Sequence, residues 1–262
     1  MDRLFANGTV NAAQSGEGPA LFLFHSLLSD RTSFDAIAPK LSQSFRLIVP
    51  ELPGFGKSRA VSGGLADVAD RMADAVKEGG GDQTIVLGNG YGGFVALQMA
   101  IRHPGIASKL ILADCGAAFS EEGRQAFRNM AAASKAKGLS GITDVAMRRL
   151  FAPDFQAKHP DLMRDRREAF LKTDLDVFRS ACDALAELDL RPQLSQVKIP
   201  VLVLVGEHDE ATPLPMSYEL AAGLPNARLI IIPGCAHVPQ LQSPEVFLDA
   251  IGDFLPAVSA AS

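Results

Sequence analysis

The sequence predicts an α/β architecture, a mostly parallel sheet with helices on both faces. Two observations carry this: short apolar runs alternate with longer segments of helical periodicity, and the runs are apolar at nearly every consecutive position, as fits strands covered on both faces. The runs fall at 21–24, 45–49, 84–87, 110–112, 201–205 and 229–232. Between them, Leu65, Val68, Met72 and Val76 recur at helical spacing, as do Phe94, Leu97 and Ile101, and Val246, Leu248, Ile251 and Phe254. The alternation stops near Asp114 and resumes near Ile199. The stretch between is helical and charged, with segments at 124–137, 142–151, 161–172 and 175–190, punctuated by Gly138, Gly141, Pro153 and Pro160. This predicts a core of residues 1–114 and 199–262 carrying an inserted helical lid, 115–198, over the carboxyl edge of the sheet, where ligands bind in open α/β folds. No internal repeat or low-complexity tract interrupts the pattern, and residues 257–262 read as a frayed tail.

Composition narrows the function. The 262 residues are 47% hydrophobic and 21% charged, with net charge −5, an ordinary globular balance with no basic footprint for nucleic acid. Lys and Arg are scattered, which argues against an anionic membrane surface. Cys115, Cys182 and Cys235 lie far apart, form no CxxC or zinc spacing, and read as free thiols. The first residues hold no apolar core of signal-peptide length, and no apolar run nears the ~20 residues of a membrane span. A cytoplasmic protein acting on a small molecule is expected, with no metal, cofactor, nucleic-acid or membrane partner. Oligomeric state is not readable.

The most informative segment is Gly88-Asn89-Gly90-Tyr91-Gly92, where an apolar strand runs into a glycine cluster and then a helix. Glycine takes the sharp backbone corner of such a turn at little cost, and Gly90 offers no side chain for chemistry. No Gly-Lys-Ser/Thr follows, so this is not a P-loop. Gly88, Gly90 and Gly93 match a dinucleotide fingerprint, but the acidic residue expected about 20 positions on is Lys109. After the run at 201–205 come Glu207, Asp209 and Glu210. A carboxylate just past a strand end is held rigidly enough to serve a partner; the alternative is a loop residue that caps the next helix. After the run at 229–232 comes His237, whose residue type is suited to proton transfer near neutral pH. His103, His159 and His208 lack such context and read as surface residues.

Together, His-Ser-Leu-Leu-Ser-Asp (25–30), Leu-Pro-Gly-Phe-Gly-Lys-Ser (52–58), the glycine turn (88–93), Gly-Glu-His-Asp-Glu-Ala-Thr-Pro (206–213) and Pro-Gly-Cys-Ala-His (233–237) resemble the α/β-hydrolase superfamily over nearly the whole chain. The His-Ser-Leu loop and the segments at 150–155, 172–174 and 186–190 are similar to 3-oxoadipate enol-lactonases. Several features depart from that pattern: Glu51-Leu-Pro-Gly-Phe-Gly56 replaces the usual Asp-x-Arg-Gly-His-Gly, the lid has no Trp, and Gly90 stands where the nucleophilic serine belongs.

The resemblance implies an α/β-hydrolase fold with Asp209 as triad acid, His237 as base and Gly90 at the nucleophile position. It implies an oxyanion hole from the amides of Leu27 and Tyr91, and substrate contacts from His25, Ser26, Asn89, Arg148 and Arg149. The His-Ser-Leu loop of this family aims amides rather than side chains at the substrate, so Ser26 is expected to touch substrate and not to attack it. Arg148 and Arg149 are candidates to pair with a substrate carboxylate; the plainer reading is solvated helix charges. The implied reaction is hydrolysis of an ester, a lactone or the C–C bond of a vinylogous diketone. Three readings stay open: a serine hydrolase inactivated by glycine at 90, an enzyme that activates water through His237 and Asp209, and a non-catalytic small-molecule binder. Restoring serine at 90 is expected to create esterase activity.

Overall fold

The computed structural model describes residues 1–255, so the tail expected at 257–262 lies outside them. At its centre is one eight-stranded sheet in the order β1-β2-β4-β3-β5-β6-β7-β8. The strands are β1 (Asp2–Phe5), β2 (Val10–Ser15), β3 (Ala20–Phe24), β4 (Arg46–Pro50), β5 (Ile85–Asn89), β6 (Lys109–Ala113), β7 (Val201–Gly206) and β8 (Ala227–Ile232). The six strands from β3 to β8 are parallel and coincide with the six apolar runs. β2 runs antiparallel to both β1 and β4. The sequence pattern does not signal this edge pair: Asp-Arg-Leu-Phe is exposed at its first three positions, and Val-Asn-Ala-Ala-Gln-Ser carries no continuous apolar run.

Alternate residues of each strand face opposite layers. Leu21, Leu23, Leu47, Leu87, Ile111, Leu202 and Leu204 pack with Phe34 and Ile37, and with Phe247 and Ile251. Phe22, Phe24, Val86, Leu110, Leu112 and Val203 pack on the other side with Met72, Val76, Phe94, Val95 and Leu97. The first layer is built from α1 (Ala38–Leu41), a 3-10 turn at Arg31–Phe34 and the last helix, at Pro244–Gly252; the second from α2 (Leu65–Gly79) and α3 (Tyr91–Arg102). Each fully buried Leu or Phe contributes roughly 1.5–3 kcal/mol, so strand positions are fixed from both sides.

Between β6 and β7 lie α4 (Glu121–Lys137), a 3-10 turn (Leu139–Ile142), α5 (Thr143–Leu150), α6 (Pro153–Lys158), α7 (Pro160–Leu171) and α8 (Leu175–Ala186). The short α6 is absent from the sequence pattern, because Pro153 and Pro160 read as breaks; each instead begins a helix, where a missing N–H is harmless. α4 and α8 pack side by side. Arg124 fastens the block's two ends by donating to the carbonyls of Phe119, Ala186 and Leu188. Arg166 on α7, almost buried, reaches across to Asp30 and Thr32 in the core. The chain then continues through α9 (Leu214–Gly223), β8, α10 (Pro239–Gln242) and α11 (Pro244–Gly252). No helix among the described residues is long and apolar enough to cross a membrane.

Candidate active site

The carboxyl ends of β3, β5, β6, β7 and β8 lie along one edge, so the residues just past them meet. Gly90 follows β5, with φ 54° and ψ −121°. This is a left-handed corner that glycine adopts without a Cβ penalty. Its N–H donates to the Ala113 carbonyl (2.9 Å) on the neighbouring strand. Gly92 lets the start of α3 lie against the end of β3: a Cβ there would strike the carbonyls of Phe24 and His25. The Gly92 N–H donates to the His25 carbonyl (3.0 Å), which locks the glycine turn to the loop that carries Ser26.

Asp209 and His237 come together behind this corner. The His237 Nδ1–H donates to Asp209 Oδ2 (2.9 Å), which fixes the tautomer and leaves the Nε2 lone pair facing the corner. The Asp209 carboxylate is fully enclosed. Oδ1 accepts the amides of Ala211 (2.8 Å) and Thr212 (3.0 Å), and Oδ2 also accepts the Thr212 hydroxyl (2.6 Å). Burial opposes its ionisation, yet the His237 charge, the imidazole N–H and the two Thr212 donors together hold its pKa below the ordinary carboxylate value. The other two candidate carboxylates make no hydrogen bond to His237 among the described residues. Glu207 accepts the Gly234 amide at the surface and Glu210 is exposed.

Position 90 is closely surrounded. A Cβ built on Gly90 would stand 2.5 Å from Ser26 Oγ and 2.7 Å from His237 Nε2. The hydroxyl of Ser26 lies 3.5 Å from Nε2, and this is its one hydrogen-bond partner among the described residues. The His-Ser-Leu loop, expected to aim its amides at the substrate, also turns the Ser26 side chain toward the imidazole. Leu27 and Tyr91 line the same small cavity as Gly90, and neither amide donates to a protein acceptor among the described residues. Tyr91 opens α3, so its N–H is one of the helix's orphan donors.

Two residues expected to touch substrate are turned away from the cavity. His25 is fully buried. Its Nδ1–H donates to the Ser26 carbonyl (2.9 Å) and its Nε2 accepts the Leu52 amide (3.1 Å). Desolvation lowers its pKa and keeps it neutral, as that pair of bonds requires. Asn89 is also fully buried and points behind the corner, donating to the His237 carbonyl (3.0 Å) and to Asp114 Oδ2 (3.2 Å). Both residues shape the site from outside it.

Three further residues escape sequence reasoning: Thr212, Gln240 and Asp114. Gln240 donates to Asn89 Oδ1 (3.0 Å), and Asp114 Oδ1 accepts the Gly206 amide (2.8 Å). Asp114 follows β6 with φ 52°, an uncommon conformation for a residue with a side chain. Carboxylate oxygens of Asp114 and Asp209 and a ring nitrogen of His237 lie within 4.8 Å of one another. Burial, and next the charge of Asp209, raise the Asp114 pKa well above the usual carboxylate value. Two acids that share a dry site resist ionising together, and here the pair splits, Asp114 shifted upward and Asp209 downward. No sequence signal marks these residues, since each acts through a neighbour distant in the chain.

The corner opens into a small cavity of about 30 Å³ lined by Ser26, Leu27, Gly90, Tyr91, Arg149 and His237, with Phe94, Phe119 and Phe127 on its apolar side. This is room for about two waters. Beyond lies a cleft of about 550 Å³ whose lining includes Arg148, Arg149, Glu207, His208 and Pro213. Arg149 borders both spaces. Its guanidinium stands 5.3 Å from the Phe127 ring centroid, and it forms no ion pair among the described residues. Arg148 is exposed at the cleft mouth.

Residues 20–250 match the family model described as Alpha/beta hydrolase family. The chain is 30% identical over 245 residues to a pimeloyl-[acyl-carrier protein] methyl ester esterase of Edwardsiella ictaluri, covering 89% of this chain and 92% of that protein. It is 28% identical over 169 residues to 3-oxoadipate enol-lactonase 2 of Acinetobacter baylyi, covering 64% and 62%. Among solved structures, the enol-lactonase from Burkholderia xenovorans LB400 superposes with a TM-score of 0.89 at 24% identity, over 97% of this chain and 99% of that one; at that identity the likeness speaks for the fold. The eight-stranded sheet, the glycine corner and a family match spanning most of the sequence agree, and the chain belongs to the alpha/beta hydrolase family.

Proposed function

We propose that this protein hydrolyses small carboxylic esters or lactones with His237 as general base and Asp209 as the acid behind it. The observation that carries the reading is the relay itself: a buried, ionised Asp209 bonded to Nδ1, with Nε2 aimed into a small cavity. An ionised carboxylate costs several kcal/mol to bury, and here four donors offset that cost. A pocket that only bound a ligand would need none of this.

Nε2 takes a proton from an attacking hydroxyl, which residue 90 cannot supply. The acyl carbon becomes tetrahedral, and its oxyanion falls to the amides of Leu27 and Tyr91; such donors each contribute ~10²–10³ in rate. The His237 imidazolium, steadied by Asp209, then protonates the leaving alcohol or enol. Residues 115–198 act as a lid whose Phe119 and Phe127 cover an apolar acyl chain. Arg149, charged and without a carboxylate partner, receives an anionic end of the substrate. The esterase and lactonase relatives support ester and lactone substrates over other acyl donors.

The test is turnover of the unmodified chain on a panel of aryl esters, lactones and vinylogous diketones, each with and without a free carboxylate. Hydrolysis is expected for esters or lactones, with lower KM for the carboxylate-bearing members. The alternative, a binder built on the old pocket, rests on the missing nucleophile. It would be favoured by calorimetric binding of panel members with no product formed.

A further inference from the structure

We infer that Ser26 is the nucleophile of this site, in place of the serine that residue 90 lacks. The inference rests on the hydrolase reading and names the attacking oxygen within it. Ser26 Oγ sits 2.5 Å from where a Cβ at 90 would stand, so it lies beside the space in which the missing side chain would act. Its hydroxyl has one protein partner among the described residues, the His237 Nε2, at 3.5 Å. That separation is long for a hydrogen bond and typical of a resting nucleophile–base pair, which tightens when substrate binds. Ser26 is almost wholly buried and its backbone is fixed by His25 Nδ1–H on its carbonyl. A fixed hydroxyl beside its base has already lost the freedom that a water would have to surrender, an advantage that reaches effective molarities of ~10⁵ M and above.

The oxyanion donors fit the exchange. In the usual arrangement the residue after the nucleophile lends its amide to the hole. Here the residue after Ser26 is Leu27, whose amide, like that of Tyr91, donates to no protein acceptor among the described residues, and both residues line the small cavity. The same two donors serve whichever of the two loops carries the serine.

The chemistry balances as two acyl transfers. Ser26 Oγ bonds to the acyl carbon while Nε2 takes its proton. The bond from that carbon to the leaving oxygen breaks, and the imidazolium returns the proton to the departing alcohol or enol. A water then gives a proton to Nε2, attacks the Ser26 ester and releases the acid, and the proton goes back to Ser26 Oγ.

Treatment with a fluorophosphonate followed by peptide mass spectrometry tests this. The reagent loses fluoride to an activated serine and leaves a phosphonyl group. The adduct is expected on Ser26, and is expected to be absent in His237→Ala. Ser26→Ala is expected to lower kcat on an aryl ester by about 10²-fold or more, while Ser26→Cys keeps part of the activity and becomes alkylated by iodoacetamide. An active chain with no adduct on Ser26, or a Ser26→Ala variant as fast as the unmodified chain, would overturn the assignment. If His237→Ala were inactive in that second case, attack by water would replace it and the hydrolase reading would survive. Labelling of Ser26 in a chain that turns over no ester or lactone would instead support the nucleophile and count against the hydrolase reading.

Discussion

The two halves of the site are built to different standards. On one side, His237 and Asp209 stand in a dense hydrogen-bond network in which each Asp209 oxygen has two donors and burial pushes the pKa of the neighbouring Asp114 upward. On the other, the corner at 88–92 keeps its shape, its close contact with β3 and its free Tyr91 amide, but carries no reactive group. The difference separates what is hard to assemble from what is easily supplied. A buried ionised acid needs several donors from several loops at once. A hydroxyl can come from any small side chain that faces Nε2, and Ser26 already does.

The sharpest way to break the first half is Asp209→Asn. The side chain keeps its volume, but its amide group cannot hold the same imidazole tautomer, and kcat on the best ester is expected to fall by ~10⁴, the size of effect seen when a triad acid is so changed. A loss below tenfold would mean that the carboxylate serves the fold and not the reaction. The second half is probed by Gly90→Ser. Serine at 90 must displace Ser26 Oγ and crowd His237, so the single variant is expected to label with fluorophosphonate more slowly than Gly90→Ser combined with Ser26→Ala. The double variant should carry the phosphonyl group at 90. The reverse ranking would show that Ser26 leaves room for a serine at the corner.

Most of the fold is legible in the sequence because the six parallel strands coincide with mostly apolar runs, five of them largely buried on both faces. The antiparallel strands β1 and β2 are not, since β1 is a largely exposed edge strand and β2 carries no continuous apolar run. The relay is legible because Asp209 and His237 each follow a strand end. Thr212, Gln240 and Asp114 are not, because their roles exist only where separate loops meet. The aim of the Ser26 side chain is hidden for a related reason. Its direction depends on how Gly92 draws α3 against the His-Ser-Leu loop, and the motif alone carries no trace of that contact.

A smaller effect concerns the acid pair. Asp114 has its folded pKa raised above the ordinary value of 3.8, so the stability it contributes is complete below 3.8 and is lost as pH rises through the raised pKa. Asp209 behaves oppositely: its contribution is present above 3.8 and is lost as pH falls through about 2. Asp114→Asn mimics the protonated acid at every pH. The unmodified chain loses up to about 1.4 kcal/mol per pH unit between the ordinary and the raised Asp114 pKa, so its unfolding midpoint is expected to fall more steeply with rising pH than that of the variant. Parallel thermal-melt profiles against pH would remove Asp114 as the proton carrier.

Everything proposed for this site requires that the imidazole of His237 drive the reaction. The most direct test is kcat/KM of His237→Ala beside the unmodified chain on one aryl ester at one pH. A fall of ~10²-fold or more is expected, and equal rates for the two proteins would contradict a catalytic role for His237.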